Sequence, residues 1–416
     1  MTLQGTAART ASAIGWRTPL VVVVCGCLIS LTGFGPRSSL GFFLAPLSQA
    51  NHWDREVFSM AFAIQNLLWG VGQPFAGGIA DRFGASRVIM VGAAMYALGL
   101  ALMAHATTPA MLDLSAGVLI GFGLSGCSFT VVIGAFGKLL PQEWRSLAFG
   151  AGTAAGSFGQ FLYSPVGVAL MDQFGWQTAL LIFAGLTMLI LPLSLALATP
   201  RANPVTSAAA AVPQSFRQAI TEAFGHRSYV LLVLGFFTCG FQLAFTTVHL
   251  PSYLVDRGLS AEVGGWTLAT IGLFNIIGSL ASGYLGSRVP KRYILSTIYF
   301  ARALSIAMFI TLPANPATTI VYGAVTGLLW LSTVPPTSGL VAVMFGTRWL
   351  AMLFGFAFFS HQVGGFLGVW LGGIVYDTYG SYNPVWWLSI FFGVMSALIN
   401  LPIVERPIGQ PAPSPV

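Results

Sequence analysis

Apolar runs of twenty residues or more, each closed by a short polar break, recur along this 416-residue chain. Taken as helices they fall at roughly 19–47, 57–80, 86–106, 109–137, 146–171, 176–198, 228–254, 262–286, 292–312, 316–345, 348–376 and 383–404. About 20 predominantly apolar residues cross a hydrocarbon layer ~30 Å thick as a helix, and all twelve blocks have that length. A helix also satisfies its own backbone polar groups in lipid, and the ten-residue alternation of an outer-membrane barrel is absent from the pattern. The expectation is an all-α membrane protein of twelve transmembrane helices.

Composition agrees. Hydrophobic residues make up 56% of the chain, charged residues 7%, and the mean hydropathy is +0.80. An ordinary soluble domain, with about a quarter of its residues charged, is excluded. Lys and Arg sort by loop: Arg9, Arg17, Arg82, Arg87, Lys138, Arg145, Arg201, Arg217, Arg227, Arg288, Lys291, Arg292, Arg348 and Arg406 gather on one face, Arg55 and Arg257 on the other. Retention of basic loops on the cytoplasmic side puts both termini inside a cytoplasmic (inner) membrane. The net charge of +7 then reads as topology, with some attraction to anionic lipid, and not as a nucleic-acid footprint. Residues 1–18 lead into a first span too long for a signal-peptide core, so no cleavage is expected. Cys25, Cys27, Cys127 and Cys239 all fall within spans and form neither a disulfide framework nor a zinc spacing. No metal or cofactor is implied, and no nucleophile elbow, HExxH or Walker loop suggests an enzyme. The glycine-rich GAGTAAG at 150–156 lies inside an apolar span, where close helix packing accounts for it.

An Ala, Pro and Ser stretch and a short polar segment, QSFRQAITEAFGHR, interrupt the pattern. They divide the chain into an N-terminal six-helix bundle (1–198), a linker (199–227) whose polar segment suits a surface helix, and a C-terminal bundle (228–416). Shifting the second half by 205 positions brings Pro46 onto Pro251, Phe149 and Gly150 onto Phe354 and Gly355, Gly159 onto Gly364, and Asp172 and Gly175 onto Asp377 and Gly380. Two such halves, rocking about a solute near the midplane, are the architecture of an alternating-access carrier.

Between the second and third spans stands GGIADRFGASR, in which Gly77, Asp81, Arg82, Gly84 and Arg87 match the signature loop of the major facilitator superfamily, which the chain resembles. The second-half counterpart, GYLGSRVPKR, keeps Gly283, Arg288 and Arg292 but has Ser287 in place of the aspartate. The resemblance implies two pseudo-symmetric six-helix bundles and a gating role for that loop, with Asp81 accepting from the positive end of a helix beginning near Trp349. A plain solvated turn is the alternative. Within the superfamily, GFGPRSSLGFFLAP, FAIQNLLWGVGQPFAGGIADRFG and FFSHQVGGFLGVWLGGIVYDTYGSYNPVWWLSI are similar to bacterial relatives of the monocarboxylate transporters and oxalate/formate antiporters, over nearly the whole chain.

All eleven carboxylates fall in loops or at span ends, which leaves Arg37, Arg302 and His361 as the deep ionisable groups. An Arg at bilayer depth costs roughly 2.5–3.5 kcal/mol and calls for a partner or a purpose. Arg37 has Gly26, Ser30, Gly33 and Gly41 as small helical neighbours and no internal counter-ion, so a substrate carboxylate is an attractive partner. Backbone carbonyls or the outer interface are its other possible partners. Arg302, on an apolar face of a peripheral span, reads as structural. His361, among Ala357, Gly364, Gly365 and Gly368, reads equally as a substrate or proton ligand and as a bonded neighbour in a tightly packed helix. Asn66, Gln160, Tyr163, Gln242, Asn275 and Trp330 are further substrate-binding candidates, with interhelical bonding as the alternative for each. Monocarboxylate transporters place an aspartate and an arginine on helix 8, where this chain has Asn275 and Ser279. Coupling through a carboxylate is therefore in doubt, and a proton carried otherwise, a counter-anion or uncoupled transport stay open.

The expectation is a monomeric secondary active transporter of a small carboxylate, mono- or dicarboxylate. An efflux carrier for larger apolar or cationic compounds, and a solute sensor that does not transport, are the competing readings.

Overall fold

The computed structural model describes residues 16–53, 55–199 and 214–407, in which helices and short turns are found and no strand. Arg9, Asp54 and Arg201 of the charge pattern lie outside the described residues, as does most of the Ala, Pro and Ser stretch. Ten helical segments are long and apolar enough to cross a membrane. One of them, Gln142–Leu197, is two spans that meet at Gly175, where φ is +78° and the helical path breaks. Arg55–Phe83, 29 residues long, is a further spanning helix whose mean hydropathy is depressed by Gln65, Asn66 and Gln73. Twelve helices result: α1 (Pro19–Ser39), α2 (Arg55–Phe83), α3 (Ala85–Ala104), α4 (Pro109–Leu139), α5 and α6 (142–174 and 176–197), α7 (Arg227–Asp256), α8 (Ala261–Leu285), α9 (Lys291–Thr311), α10 (Pro316–Phe345), α11 (Leu350–Tyr379) and α12 (Asn383–Asn400).

Their outer faces are apolar and exposed. Leu20, Val24 and Leu28 on α1, Phe300, Leu304 and Met308 on α9, and Trp387, Phe391, Val394 and Leu398 on α12 form stripes at three- and four-residue steps. In water such stripes would be buried; here they face lipid. The inner faces carry small residues, because helices in a membrane gain from close packing and not from escaping water. A Cβ on Gly159 of α5 would collide with the Leu31 carbonyl of α1, and a Cβ on Gly364 of α11 with the Phe237 carbonyl of α7. These two glycines superpose under the 205-residue shift, as do Gly175 (φ +78°) and Gly380 (φ +65°), which turn the chain into α6 and α12. The repeat is thus one of helix crossings and turns as well as of letters.

Both halves also contain a broken helix at a matching place. α4 leaves helical geometry at Ser128 (φ −74°, ψ 163°), and α10 between Trp330 and Thr333, the residue to which Ser128 shifts. The freed polar groups are taken up internally. In the first half Gln73 Nε2 donates to the Ser125 carbonyl (3.1 Å) while its Oε1 accepts from Ser128 Oγ (2.8 Å). In the second half Arg302, 1% exposed, donates to the carbonyls of Leu329 (2.5 Å) and Trp330 (2.7 Å) and to Gln242 Oε1 (3.1 Å).

The bundles meet on the side where the basic residues gather. α2 lies on α11, with Gly77 against the Ala351 backbone and Gly355 against Pro74, and α5 lies on α8 at Gly150 and Gly283. A short helix, Phe216–Gly225, packs against this closed side. Its start is fixed by a capping box of Ser215 and Gln218, and Ala219 and Ala223 form its buried face. Phe216 meets the Trp349 ring edge-on (centroids 5.9 Å apart) and fills the recess left by Gly78 on α2, so one side chain touches both bundles. Phe224 packs edge-on against Phe356 of α11 and Tyr229 of α7, each at 5.3 Å.

Two outcomes follow from this packing. Arg302→Leu keeps bulk but strips three buried acceptors of their donor, a loss of on the order of 3 kcal/mol. It is expected to lower the thermal midpoint of the detergent-purified protein, with Arg302→Lys intermediate; an unchanged midpoint would show that Arg302 does not hold the α10 break. Phe216→Ala is expected to raise amide exchange around residues 349–354 by at least about threefold while leaving α9 unaffected, because the wedge between α2 and α11 is gone. Exchange identical to the wild type would make the short helix a passive linker.

Candidate functional site

Arg37 sits where α1 carries Gly33, Gly35 and Pro36, a stretch with no side-chain bulk between α1 and its neighbours. Gly35 receives the ring of Tyr163 from α5, which is buried against Phe183 at 5.4 Å. The Arg37 guanidinium lies over the Trp69 ring (4.8 Å from the centroid) and near Phe34 (5.9 Å), and its Nη2 donates to Asn66 Oδ1. Its Nε is buried without a hydrogen-bond partner. Among the described residues the ion pair found is Lys138–Asp81, far along α2 at the basic end, so no carboxylate neutralises Arg37. An aromatic face and a neutral amide stabilise a buried cation but leave its charge in place.

From Asn66 the polar contacts continue into the other bundle. Gln362 of α11 donates from Nε2 to the Asn66 carbonyl (3.4 Å), and its Oε1 accepts from His361 Nδ1 (3.2 Å). The His361 ring is stacked on Phe358 (5.3 Å, 8° between planes) and leans on Phe236 (5.2 Å). Phe358 in turn contacts Trp69 across the bundle boundary at 5.0 Å. Arg37, Asn66, Gln362 and His361 therefore form one polar thread from α1 through α2 to α11, inside an aromatic sleeve.

Gln362 is the member that sequence reasoning missed. It adjoins His361, but about 100° of helical rotation separates them, and the small-residue face drew attention to His361 alone. What makes room for it is Gly70 on α2, where a Cβ would stand 2.7 Å from that of Gln362. Only the packing of two distant helices shows this.

The other candidates have different surroundings. Both ends of the Gln242 amide are engaged, Oε1 by Arg302 and Nε2 by the Ser389 carbonyl (2.8 Å). The Trp330 carbonyl accepts from Arg302 at the α10 break. Asn275 donates to Ser157 Oγ of α5 (2.6 Å), and its Oδ1 accepts from the Leu331 amide (2.9 Å) and Ser279 Oγ (3.2 Å). That one side chain joins the two bundles and holds the broken helix. Gln160, half-buried on α5, follows directly on the Gly159 crossing. The structure thus brings Arg37, Asn66 and His361 together with Tyr163 close by, and gathers Gln242, Asn275, Trp330 and Arg302 around the α10 break.

At the basic end, Asp81 Oδ1 accepts from Lys138 Nζ (2.6 Å) and Oδ2 from the amide of Met352 (2.9 Å), in the first turn of α11. A carboxylate at that place complements the positive helix terminus. Gly77 allows the approach, since any side chain there would strike Ala351. Gly84, at φ +104°, makes the turn into α3, whose first amide, of Ala85, donates to Thr199 Oγ1 (3.1 Å). Arg82 and Arg87 are exposed, with Arg82 lying over Phe83 at 5.2 Å. The matching position in the second half, Ser287, folds back onto the Tyr284 carbonyl (2.7 Å). There the bundles are joined instead by Ser146 Oγ donating to the Gly283 carbonyl (2.6 Å).

Comparison with known proteins agrees with this architecture. The family model described as Major Facilitator Superfamily matches residues 22–368 and 258–416. An uncharacterized MFS-type transporter of Bacillus subtilis (strain 168), YcxA, is 30% identical over 96% of this chain and 97% of its own length. Monocarboxylate transporter 13 of Rattus norvegicus is 25% identical, over 89% of this chain and 84% of its own. Monocarboxylate transporter 11 of Homo sapiens is 26% identical, over 90% and 80%. Among solved structures, the E. coli fucose:proton symporter FucP superposes with a TM-score of 0.70 at 17% identity, covering 92% of this chain and 98% of its own. FucP in its outward conformation gives a TM-score of 0.71 at 16% identity, over 92% and 97%. Twelve apolar helices in two alike bundles, a family match over nearly the full length and relatives that are themselves transporters lead to one conclusion: this chain belongs to the Major Facilitator Superfamily and is a multi-pass membrane transporter, not an enzyme.

Proposed function

We propose that this transporter is a secondary active carrier of a small organic anion, a mono- or dicarboxylate, that works as a monomer by alternating access in the cytoplasmic membrane. Both termini and the basic face are inside. The observation that carries the reading is Arg37: a cation of the first bundle, held by Asn66, Trp69 and Phe34, with no carboxylate among the described residues to neutralise it. A guanidinium with unused donors pairs with a carboxylate through two parallel hydrogen bonds, stronger than those to neutral groups. Relatives named monocarboxylate transporters support the same substrate class.

Arg37 is the anchor, with Asn66, Tyr163 and Gln160 on its own bundle and Gln362 and His361 facing them from α11. Gln242, Asn275 and Trp330 serve that arrangement by holding the α10 break in place. The bundles, divided at 199–227, rock about this midplane, and the Asp81–Met352 contact with Gly77 locks the state in which the basic side is closed. Export of cationic compounds is disfavoured by the same charge, because a cation would be repelled where an anion is drawn in.

The test is thermal stabilisation of the purified protein by a panel of small carboxylates and their amides. A ligand that binds only the folded state, at 100 times its Kd, adds about 2.7 kcal/mol of apparent stability. Stabilisation by a carboxylate and not by its amide, lost in Arg37→Ala, is expected. Equal effects in wild type and mutant, or stabilisation by organic cations alone, would overturn the anion reading and turn attention to efflux.

A further inference from the structure

We infer that the turn between α8 and α9 is a binding site for an anionic phospholipid of the leaflet on the basic side, whose phosphate is held by Arg288 and Arg292. The inference does not depend on what the transporter carries. It concerns the two arginines of GYLGSRVPKR, the second-half motif, to which the closure of the basic side gives no task. In the first half Asp81 takes Lys138 and the Met352 amide, so its loop closes onto α11. Ser287 instead folds back onto the Tyr284 carbonyl (2.7 Å), and Arg288 is left exposed beside it.

Two exposed apolar stripes end at this turn. On α8, Leu273, Ile277, Leu280 and Tyr284 follow one another at three- and four-residue steps, while Gly278 packs on α10 and Ser279 and Gly283 pack on α5. On α9, Tyr293 stands at the basic end of the stripe that continues through Phe300, Leu304 and Met308. Both stripes thus close on a tyrosine, the side chain whose ring suits the boundary between hydrocarbon and headgroups. Each tyrosine carries an arginine. The Arg288 guanidinium lies 4.3 Å from the centroid of the Tyr284 ring, and that of Arg292 lies 4.7 Å from Tyr293. Arg292 is further pinned, with Nη2 donating to the Tyr293 hydroxyl (3.0 Å) and Nη1 to the Ile403 carbonyl (3.2 Å). Lys291 is turned onto α10, its Cε 2.8 Å from where a Cβ on Gly339 would stand.

Neither guanidinium is neutralised within the chain. Glu405 is the acid at hand, and its Oε1 accepts from the main-chain N–H of Arg292 (2.6 Å), where it caps the start of α9. Among the described residues the ion pair found is Lys138–Asp81. A ring face orients a guanidinium and leaves its edge free, and that edge matches two oxygens of a phosphate. Charge alone would serve a free phosphate ion as well. What selects a lipid is that the same two arginines stand at the ends of exposed apolar stripes, so acyl chains lie along α8 and α9 while the headgroup reaches the cations.

The test is native mass spectrometry of the full chain, delipidated in detergent and titrated with phosphatidylglycerol or phosphatidylcholine of the same acyl chains. The wild type is expected to bind phosphatidylglycerol at least about fivefold more tightly than phosphatidylcholine, and Arg288→Gln to lose about fivefold, the weight of one basic side chain at an anionic surface. Arg288→Gln/Arg292→Gln is expected to bring the two lipids level. Arg217→Gln/Arg227→Gln, which removes two exposed cations of the same basic side, is expected to bind like the wild type. Arg288 touches only the Tyr284 ring, so the single variant decides if the double variant does not fold. No preference for phosphatidylglycerol in the wild type, or equal weakening by the linker pair, overturns the proposal. Displacement of phosphatidylglycerol by excess inorganic phosphate overturns it too, because the arginines would then be an ion site and not a lipid site.

Discussion

Within a membrane no water is at hand to satisfy a polar group, so each one must find its partner inside the chain. The architecture follows from how that demand is met at two places where helices break. Gln73 closes the gap in α4, and Arg302 with Gln242 closes the gap in α10. Once these breaks are stable, Asn275 can bond the α10 backbone with one end of its amide and α5 with the other, and the second bundle is tied to the first. An arginine buried at 1% exposure is then no anomaly: three acceptors take its hydrogens, and removing it would strand them all.

Arg37 meets the same demand only in part. The 205-residue shift maps it onto Gln242, the residue that Arg302 binds, so each half places a guanidinium close to equivalent ground. In the second half the charge comes from α9 and is met by two backbone carbonyls and one amide oxygen, with Nε left without a partner. In the first half it comes from α1 and is met by one amide and two aromatic faces. Burial costs the two arginines about the same, of order 2.5–3.5 kcal/mol on insertion scales. What differs is how much of that cost the protein itself offsets, and in the proposed function the shortfall at Arg37 is the affinity left over for an anion.

Much of this was legible in the sequence because it is one-dimensional. Span length, the sorting of Lys and Arg, and the repeat at Gly159/Gly364 and Gly175/Gly380 depend on spacing along the chain, and spacing can be read directly. Asp81 could be read too, since its signature loop is a local string. The break in α4 could not: Ser128 is neither Gly nor Pro, and the groups it frees are met from another helix by Gln73. The break in α10 did have a local signal, since Pro335 and Pro336 lack the N–H groups that would bond the Leu331 and Ser332 carbonyls. The partners of Arg302 are backbone carbonyls, which no residue type encodes. Asn275 reads from the sequence as a substrate-binding candidate or an interhelical bond, and in the structure its amide bonds Ser157, Ser279 and the Leu331 backbone. Gln362 was passed over because its role depends on Gly70, almost three hundred positions away, giving it room.

The two seams that close the basic side differ in kind. Between α2 and α11 the contact is directional: a carboxylate held by Lys138 accepts the Met352 amide at the start of α11, an arrangement worth roughly 0.3–2 kcal/mol depending on burial. Between α5 and α8 Ser287 turns away, and the seam consists of glycine backbones in contact with one serine hydroxyl bonded across them. A directional bond is lost within about an ångström of separation, whereas glycine surfaces can slide and remain in contact. In the proposed alternating-access cycle the repeat supplies two bundles that move alike, and the serine standing in place of aspartate makes their two seams unequal. In that proposed cycle α2 and α11 are the latch and α5 and α8 the bearing. The thread from Arg37 to His361 crosses the boundary on the latch side, through the Asn66–Gln362 bond. Under the proposed function, a change of charge at Arg37 is felt first by the pair of helices joined by that bond.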